Sequence, residues 1–129
     1  MTKFTPAIVV AAYNRTHSLK RLLSSLTNAV YEAEVTLVIS IDKSDSEEVF
    51  EVANNFVWNN GEKVILKHNE NLGLKKHILS CGNLTKEYGS IILLEDDLYV
   101  SPFFYVYSLR ALQFYNSDTN IAGISLYAH

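Results

Sequence analysis

The chain carries a single cysteine, Cys81, among 129 residues. An internal disulfide is therefore impossible and a cysteine-built metal cage is excluded, which suits a reducing compartment. Proline is scarce, only Pro6 and Pro102, and glycine numbers five. A collagen-like or Pro/Gly-rich linker composition is excluded. No apolar run approaches the roughly 20 residues of a membrane-spanning helix. The opening Met1-Thr2-Lys3-Phe4-Thr5-Pro6 lacks the apolar core of a secretory signal, so a cytoplasmic location is expected. An excess of basic charge is also missing: 11 Lys and Arg face 14 Asp and Glu, so nucleic acid is not expected as a main partner. There is no P-loop and no G-x-G-x-x-G phrase, which counts against a kinase, an ATPase or an ordinary dehydrogenase. His17, His68, His77 and His129 show no metal-ligand spacing. No internal repeat or low-complexity linker divides the chain.

What is present is a core. Hydrophobic residues make up 48% and charged residues 19%, enough for one globular domain spanning 1–129. Ala7 to Ala12 forms an aliphatic strand opened by Pro6 and closed by Tyr13-Asn14-Arg15. Thr16 or Ser18 can cap the helix that follows, whose Leu19, Leu22, Leu23 and Leu26 share one face. Val35 to Ile41 is a second strand ending at Asp42, and Ser44 and Glu47 have capping-box spacing. Val49, Val52, Ala53 and Phe56 mark a second helix face. After Asn59-Asn60-Gly61, a short strand runs over Lys63–Lys67. A polar loop, His68 to Gly73, leads to a helical pattern carrying Leu74, Ile78, Cys81 and Leu84. Lys75, Lys76 and His77 are either the wet face of that pattern or the source of one phosphate-neutralising charge. Ile91 to Leu94 is a strand, Ser101-Pro102 is a helix start, and the apolar Phe103–Tyr115 helix precedes a last strand over Ile121–Tyr127. This alternation predicts an α/β fold: a Rossmann-like open, mostly parallel sheet with helices on both faces.

The sharpest signal is Ile91-Ile92-Leu93-Leu94-Glu95-Asp96-Asp97. Four aliphatic residues suit a strand buried on both faces. Three carboxylates at its end lie where open α/β sheets bind ligands. Adjacent like charges repel, and a shared cation relieves them; carboxylates suit Mg²⁺ or Mn²⁺, which also bind phosphate. The plain alternative is a solvated acidic turn before a helix, favoured by the helix dipole. Asp42 is either a turn residue or part of the same site. Arg15 is either a surface charge or a diphosphate contact, and Lys75 or Lys76 can add positive charge. Cys81 fits a structural position on its helix.

These phrases resemble the donor-binding half of a GT-A glycosyltransferase. The likeness is to bacterial family 2 enzymes and, in the acidic motif, to N-acetylglucosaminyltransferase I. Ile8-Val9-Val10-Ala11-Ala12-Tyr13-Asn14-Arg15 resembles the family opening, whose polar tip touches the nucleotide. Ser40-Ile41-Asp42 resembles the segment whose Asp binds the base, and Asn69-Glu70-Asn71-Leu72-Gly73 resembles an Asn-x-Gly segment. Glu95-Asp96-Asp97 before Ser101-Pro102-Phe103-Phe104 resembles the Glu-Asp-Asp form of the D-x-D motif. The resemblance implies a metal-dependent transfer of sugar from a nucleotide-sugar, typically a UDP-sugar, to a hydroxyl of a saccharide, lipid or protein. It implies Asp97 on Mn²⁺ or Mg²⁺, Asp96 near ribose or sugar, Glu95 facing the sugar, and Tyr13, Asn14, Arg15, Asp42, Lys75 and Lys76 on the donor. The family's base lies in an acceptor-binding part expected beyond His129, so no catalytic residue is assigned, and the resemblance implies an incomplete catalytic unit. One face of the Phe103–Tyr115 helix suits packing against that part. Two rival classes remain. One is a non-catalytic nucleotide-sugar-binding or interaction module. The other is a receiver-like or phosphatase-like domain with a phospho-acceptor Asp.

Overall fold

The computed structural model describes residues 5–114 and 123–125. The elements are β1 (Ala7–Ala12), α1 (Thr16–Thr27), β2 (Leu37–Ile41), α2 (Glu48–Asn55), β3 (Lys63–Lys67), α3 (Leu74–Gly82), α4 (Thr85–Tyr88), β4 (Ile91–Glu95), α5 (Phe104–Phe114) and β5 (Gly123–Ser125). The sheet order is β3-β2-β1-β4-β5, and every pairing is parallel. The α/β expectation is met, and β1 sits at the centre because its six residues are all buried. A fully aliphatic strand is stable only with both faces covered.

The two faces are covered by different helices. Ile8, Val10 and Ala12 of β1, with Leu37, Ile39, Ile92 and Leu94, pack against α1, α2 and α5. Ala7, Val9, Ala11, Val38 and Ile91 pack against α3 and the start of α4. On α1, Leu19, Leu22, Leu23 and Leu26 are all fully buried, each contributing about 1.5–3 kcal/mol. That burial explains why α1 holds without the expected cap. Arg15, not Thr16 or Ser18, occupies the cap position, and no side chain caps the helix. A cap is worth only ~1 kcal/mol.

Several local expectations are corrected. The Ser44–Glu47 capping box does not form: the Glu48 N–H donates to Ser46 Oγ, and Glu47 instead pairs with Lys67 at 2.6 Å. The second strand begins at Leu37 rather than Val35. Val35 bonds outside the sheet, its N–H donating to the Asn60 carbonyl while its own carbonyl accepts from Trp58 Nε1. The Leu74–Leu84 pattern is interrupted after Gly82 and resumes as α4. The last helix begins at Phe104, with the Phe104 N–H donating to the Ser101 carbonyl. Tyr115, Ile121 and Tyr127 lie outside the described residues.

Gly61 is required by packing. A Cβ there would stand 2.2 Å from the Val35 carbonyl oxygen, which is fixed backbone. Gly61→Ala is expected to destabilise the fold by about 2–3 kcal/mol, near the upper end for overpacking. A urea midpoint unchanged from the parent chain would contradict this.

Candidate functional site at the strand tips

The chain runs from β1 outward to β2 and β3, then returns to the other side of β1 as β4. The connections leaving β1 and β4 therefore diverge, opening a crevice at their carboxyl ends. Open α/β sheets bind ligands at such reversal points. The order found here is the dinucleotide-binding one rather than the 2-1-3-4-5 order of receiver-like domains, which removes the topological support for the receiver reading.

Backbone bonds from β1 set both acidic tips. The Ala11 carbonyl accepts from the Asp96 N–H at 3.1 Å, and the Ala12 carbonyl accepts from the Asp42 N–H at 2.9 Å. The Tyr13 N–H then donates to Asp96 Oδ2 at 3.1 Å. The loop after β1 and the acidic end of β4 are thereby clamped together. Burial pushes the Asp96 carboxyl above its usual range; the Tyr13 N–H and Arg15 act the other way, and Asp97 and Glu95 reinforce the rise. A nearby cation would oppose this rise.

Asp97 points outward and faces Arg15, Nη1 to Oδ2, at 3.9 Å; the two side chains are 53% and 62% exposed. An ion pair so long and so wet contributes ~0–1 kcal/mol at most. Both groups are readily available to a ligand. Glu95 lies opposite Ala11 in the sheet and, by strand alternation, on the face covered by α3. Asn14 is exposed and lines, with Arg15, the mouth of a groove between α1 and α2.

Asp42 is only 3% exposed. Its Oδ1 accepts from the Lys43 and Leu72 N–H groups at 2.9 and 2.7 Å, and its Oδ2 from the Gly73 N–H at 3.0 Å. An ionised carboxylate has about four acceptor positions, so roughly one is left. Asp42 borders a cleft of about 250 Å³ with Lys43, Ser44, Lys67, His68 and Asn69. Lys75 and Lys76 are exposed on the first turn of α3 and take part in none of the described ion pairs. The structure thus gathers Tyr13, Arg15, Asp96 and Asp97 at one point, sets Asp42 across β1 from them, and leaves both lysines outside the network.

Sequence reasoning misplaced one residue in this region. His77, assigned to the wet face of its helix, is 3% exposed, whereas Leu74 is 70% exposed. His77 Nε2 lies 2.9 Å from Ser40 Oγ, and His68 Nε2 lies 3.1 Å from the same oxygen. The available signal was Ser40 itself, a hydroxyl in an otherwise aliphatic buried strand, which needs polar partners.

Among the described residues no three His, Cys, Asp or Glu side chains converge as a metal cage. No described helix is long and apolar enough to cross a membrane. No family model matches the chain, and no curated protein matches it. Among solved structures it is similar to a crystal structure of S. aureus TarS, residues 1–349, with a TM-score of 0.66 at 15% identity. TarS is a GT-A-type wall teichoic acid glycosyltransferase. The match covers 88% of this chain and 33% of that one, so the chain spans about a third of its structural neighbour. At this identity the likeness is one of fold: the chain has a Rossmann-like α/β fold, shared with the matched third of TarS.

Proposed function

We propose that the chain is the donor-binding part of a metal-dependent glycosyltransferase that moves a sugar from a nucleotide-sugar, in the first instance a UDP-sugar, to a hydroxyl acceptor. The observation that carries this reading is the clamp at the sheet reversal, where the Tyr13 amide holds Asp96 and leaves the loosely paired Asp97 and Arg15 exposed beside it. The TarS-like fold supports it. A closer kinship to N-acetylglucosaminyltransferase I rests on the acidic phrase alone.

The donor set fits Mn²⁺ or Mg²⁺. Asp97 offers an exposed hard oxygen, and such cations complete their shell with phosphate oxygens and water rather than an all-protein cage. When bound, the cation supplies Lewis-acid stabilisation of the leaving diphosphate. Arg15 adds a guanidinium suited to phosphate forks, and Lys75 and Lys76 lend positive field from α3. The remaining acceptor position of Asp42 takes a base N–H, which uracil offers and neutral cytosine lacks. Asp96 and Glu95 face ribose and sugar. Tyr13 and Asn14 border the nucleotide. The acceptor-binding part packs on the outer side of α5 and the turn before it, where Tyr107 and Phe103 are exposed, and supplies the base. A cytoplasmic setting belongs to the same proposal.

Calorimetry with UDP tests it. Binding at least about tenfold tighter with Mn²⁺ than with chelator is expected, a gain of ~1.4 kcal/mol, and UDP should exceed CDP. Equal affinity with metal and with chelator removes the metal role. Slow release of UDP from a UDP-sugar marks a weakened transferase; tight binding with no release marks a non-catalytic binding module.

A further inference from the structure

The segment Asn69–Gly73 is fastened along its length to the end of β2 and to Asp42 and Lys43, which follow it. At its start, the His68 N–H donates to the Ile41 carbonyl at 3.0 Å, and the His68 ring reaches Ser40. In the middle, Asn71 Nδ2 donates to the Lys43 carbonyl at 2.9 Å. At its end, the Leu72 and Gly73 amides sit on Asp42. The Gly73 carbonyl accepts the His77 N–H, and the His77 ring returns to Ser40. Two imidazoles, 5.3 Å apart between centroids, thus share one hydroxyl. In the sheet, Ser40 stands between Ala11 and Leu66.

A serine hydroxyl has one proton, so it donates to one ring and accepts from the other. The relay is complete only while one ring keeps an unprotonated Nε2. A proton added there turns an acceptor into a donor, and on His77 it also puts charge on a buried side chain. The groups facing His77 are few. Asp42 at the end of β2 and His68 at the end of β3 are the charged or titratable neighbours, and Cys81 lies one turn along α3. The residues of β1 and β4 packed on this face, Ala7, Val9, Ala11, Ile91 and Leu93, carry no charge, and Glu95 follows at the end of β4.

The geometry points to Ser40, His68 and His77 as positioning residues: their shared hydroxyl bolts the Asn69–Gly73 segment to β2, and proton uptake by the relay releases it. Because that segment borders Asp42, release weakens donor binding, a consequence that rests on the donor-site reading above. Burial holds His77 below its ordinary value, with Asp42 opposing and His68 reinforcing. The native state therefore binds this proton less readily than the unfolded chain does. The neutral relay's contribution is complete above the unfolded value, about 6.5, and is lost as pH falls below it toward the native value.

Amide hydrogen exchange on the full chain tests the relay. Protection at Leu72, Gly73 and His77, corrected for intrinsic exchange, should fall as pH drops below roughly 6.5, by up to about tenfold per pH unit, the limit for one proton. His77→Gln keeps a polar partner for Ser40 without titrating and should flatten this slope. His77→Asn provides the same comparison should His77→Gln not fold. Ser40→Ala should lower protection already at pH 7.5. Flat protection in the parent chain, or a parental slope in the variant without His77, overturns the relay. Parallel titration with UDP and Mn²⁺ separates the two ideas. UDP affinity that tracks protection supports the link to the donor site, and affinity that stays constant while protection falls overturns that link. No UDP binding at any pH overturns the donor reading, and the exchange data still decide the relay.

Discussion

Replacing Asp97 with Asn is expected to weaken UDP binding in the presence of Mn²⁺ by at least about tenfold, ~1.4 kcal/mol, the whole gain the metal supplies, with little change in stability. The two halves of this expectation have separate causes. Asp97 is more than half exposed, and its contact with Arg15 is 3.9 Å long. Surface substitutions of this kind stay within ±0.5 kcal/mol or so. An amide oxygen, however, is a much poorer donor to a hard divalent cation than a carboxylate oxygen. Asp96 cannot substitute readily, because one of its oxygens is committed to the Tyr13 N–H. Calorimetry of the variant with Mn²⁺ and with chelator measures the effect. Undiminished metal dependence would move the ligand role to Glu95 or Asp96.

Asp42→Ala is expected to act in the opposite sense, on stability first, with a loss of about 3–5 kcal/mol. Three backbone amides converge on a carboxylate that is 3% exposed. Hydrogen bonds to a charged group contribute roughly 1.5–3 kcal/mol each, and a buried donor left without a partner costs about 1–3 kcal/mol. Water entering the cleft offsets part of the sum. The remainder is still a large share of the ~5–15 kcal/mol that holds a typical domain together. Asp42→Asn should fall between the two, since its amide NH₂ opposes at least one of the three donors. Urea unfolding followed by circular dichroism gives the comparison. A parental midpoint for Asp42→Ala would show that the Leu72–Gly73 turn is held by other contacts.

The sheet and its helices were legible because their signals are periodic and redundant. Four leucines on α1 and six buried residues in β1 leave few alternatives to an α/β layer structure. The acidic tip was legible for a related reason: charges abutting an aliphatic strand mark its end. Caps were not legible. Ser44 and Glu47 have the right spacing, but Lys67 draws Glu47 away and Ser46 supplies the oxygen, a competition settled by a strand 20 residues along the chain. The face of α3 was misjudged because Leu74 looked apolar and His77 looked wet. The decision came from Ser40 on β2, which offers a hydroxyl and, with Ala11 beside it, carries little bulk. The double duty of Asp42 was invisible for the same reason, since the amides it holds belong to residues 72 and 73.

The central strand has one more consequence. Its last two carbonyls hold the amides of Asp42 on one side and Asp96 on the other. Neighbouring strands are about 4.8 Å apart, so these two acids are held roughly 10 Å from each other by backbone alone. β1 therefore works as a gauge. Side-chain substitutions can retune each jaw, but they leave the span untouched. A molecule gripped at both jaws must match that length, and adapting the site to a longer or shorter one would require insertions in the loops after β2 and β4 rather than exchanges at the acids themselves.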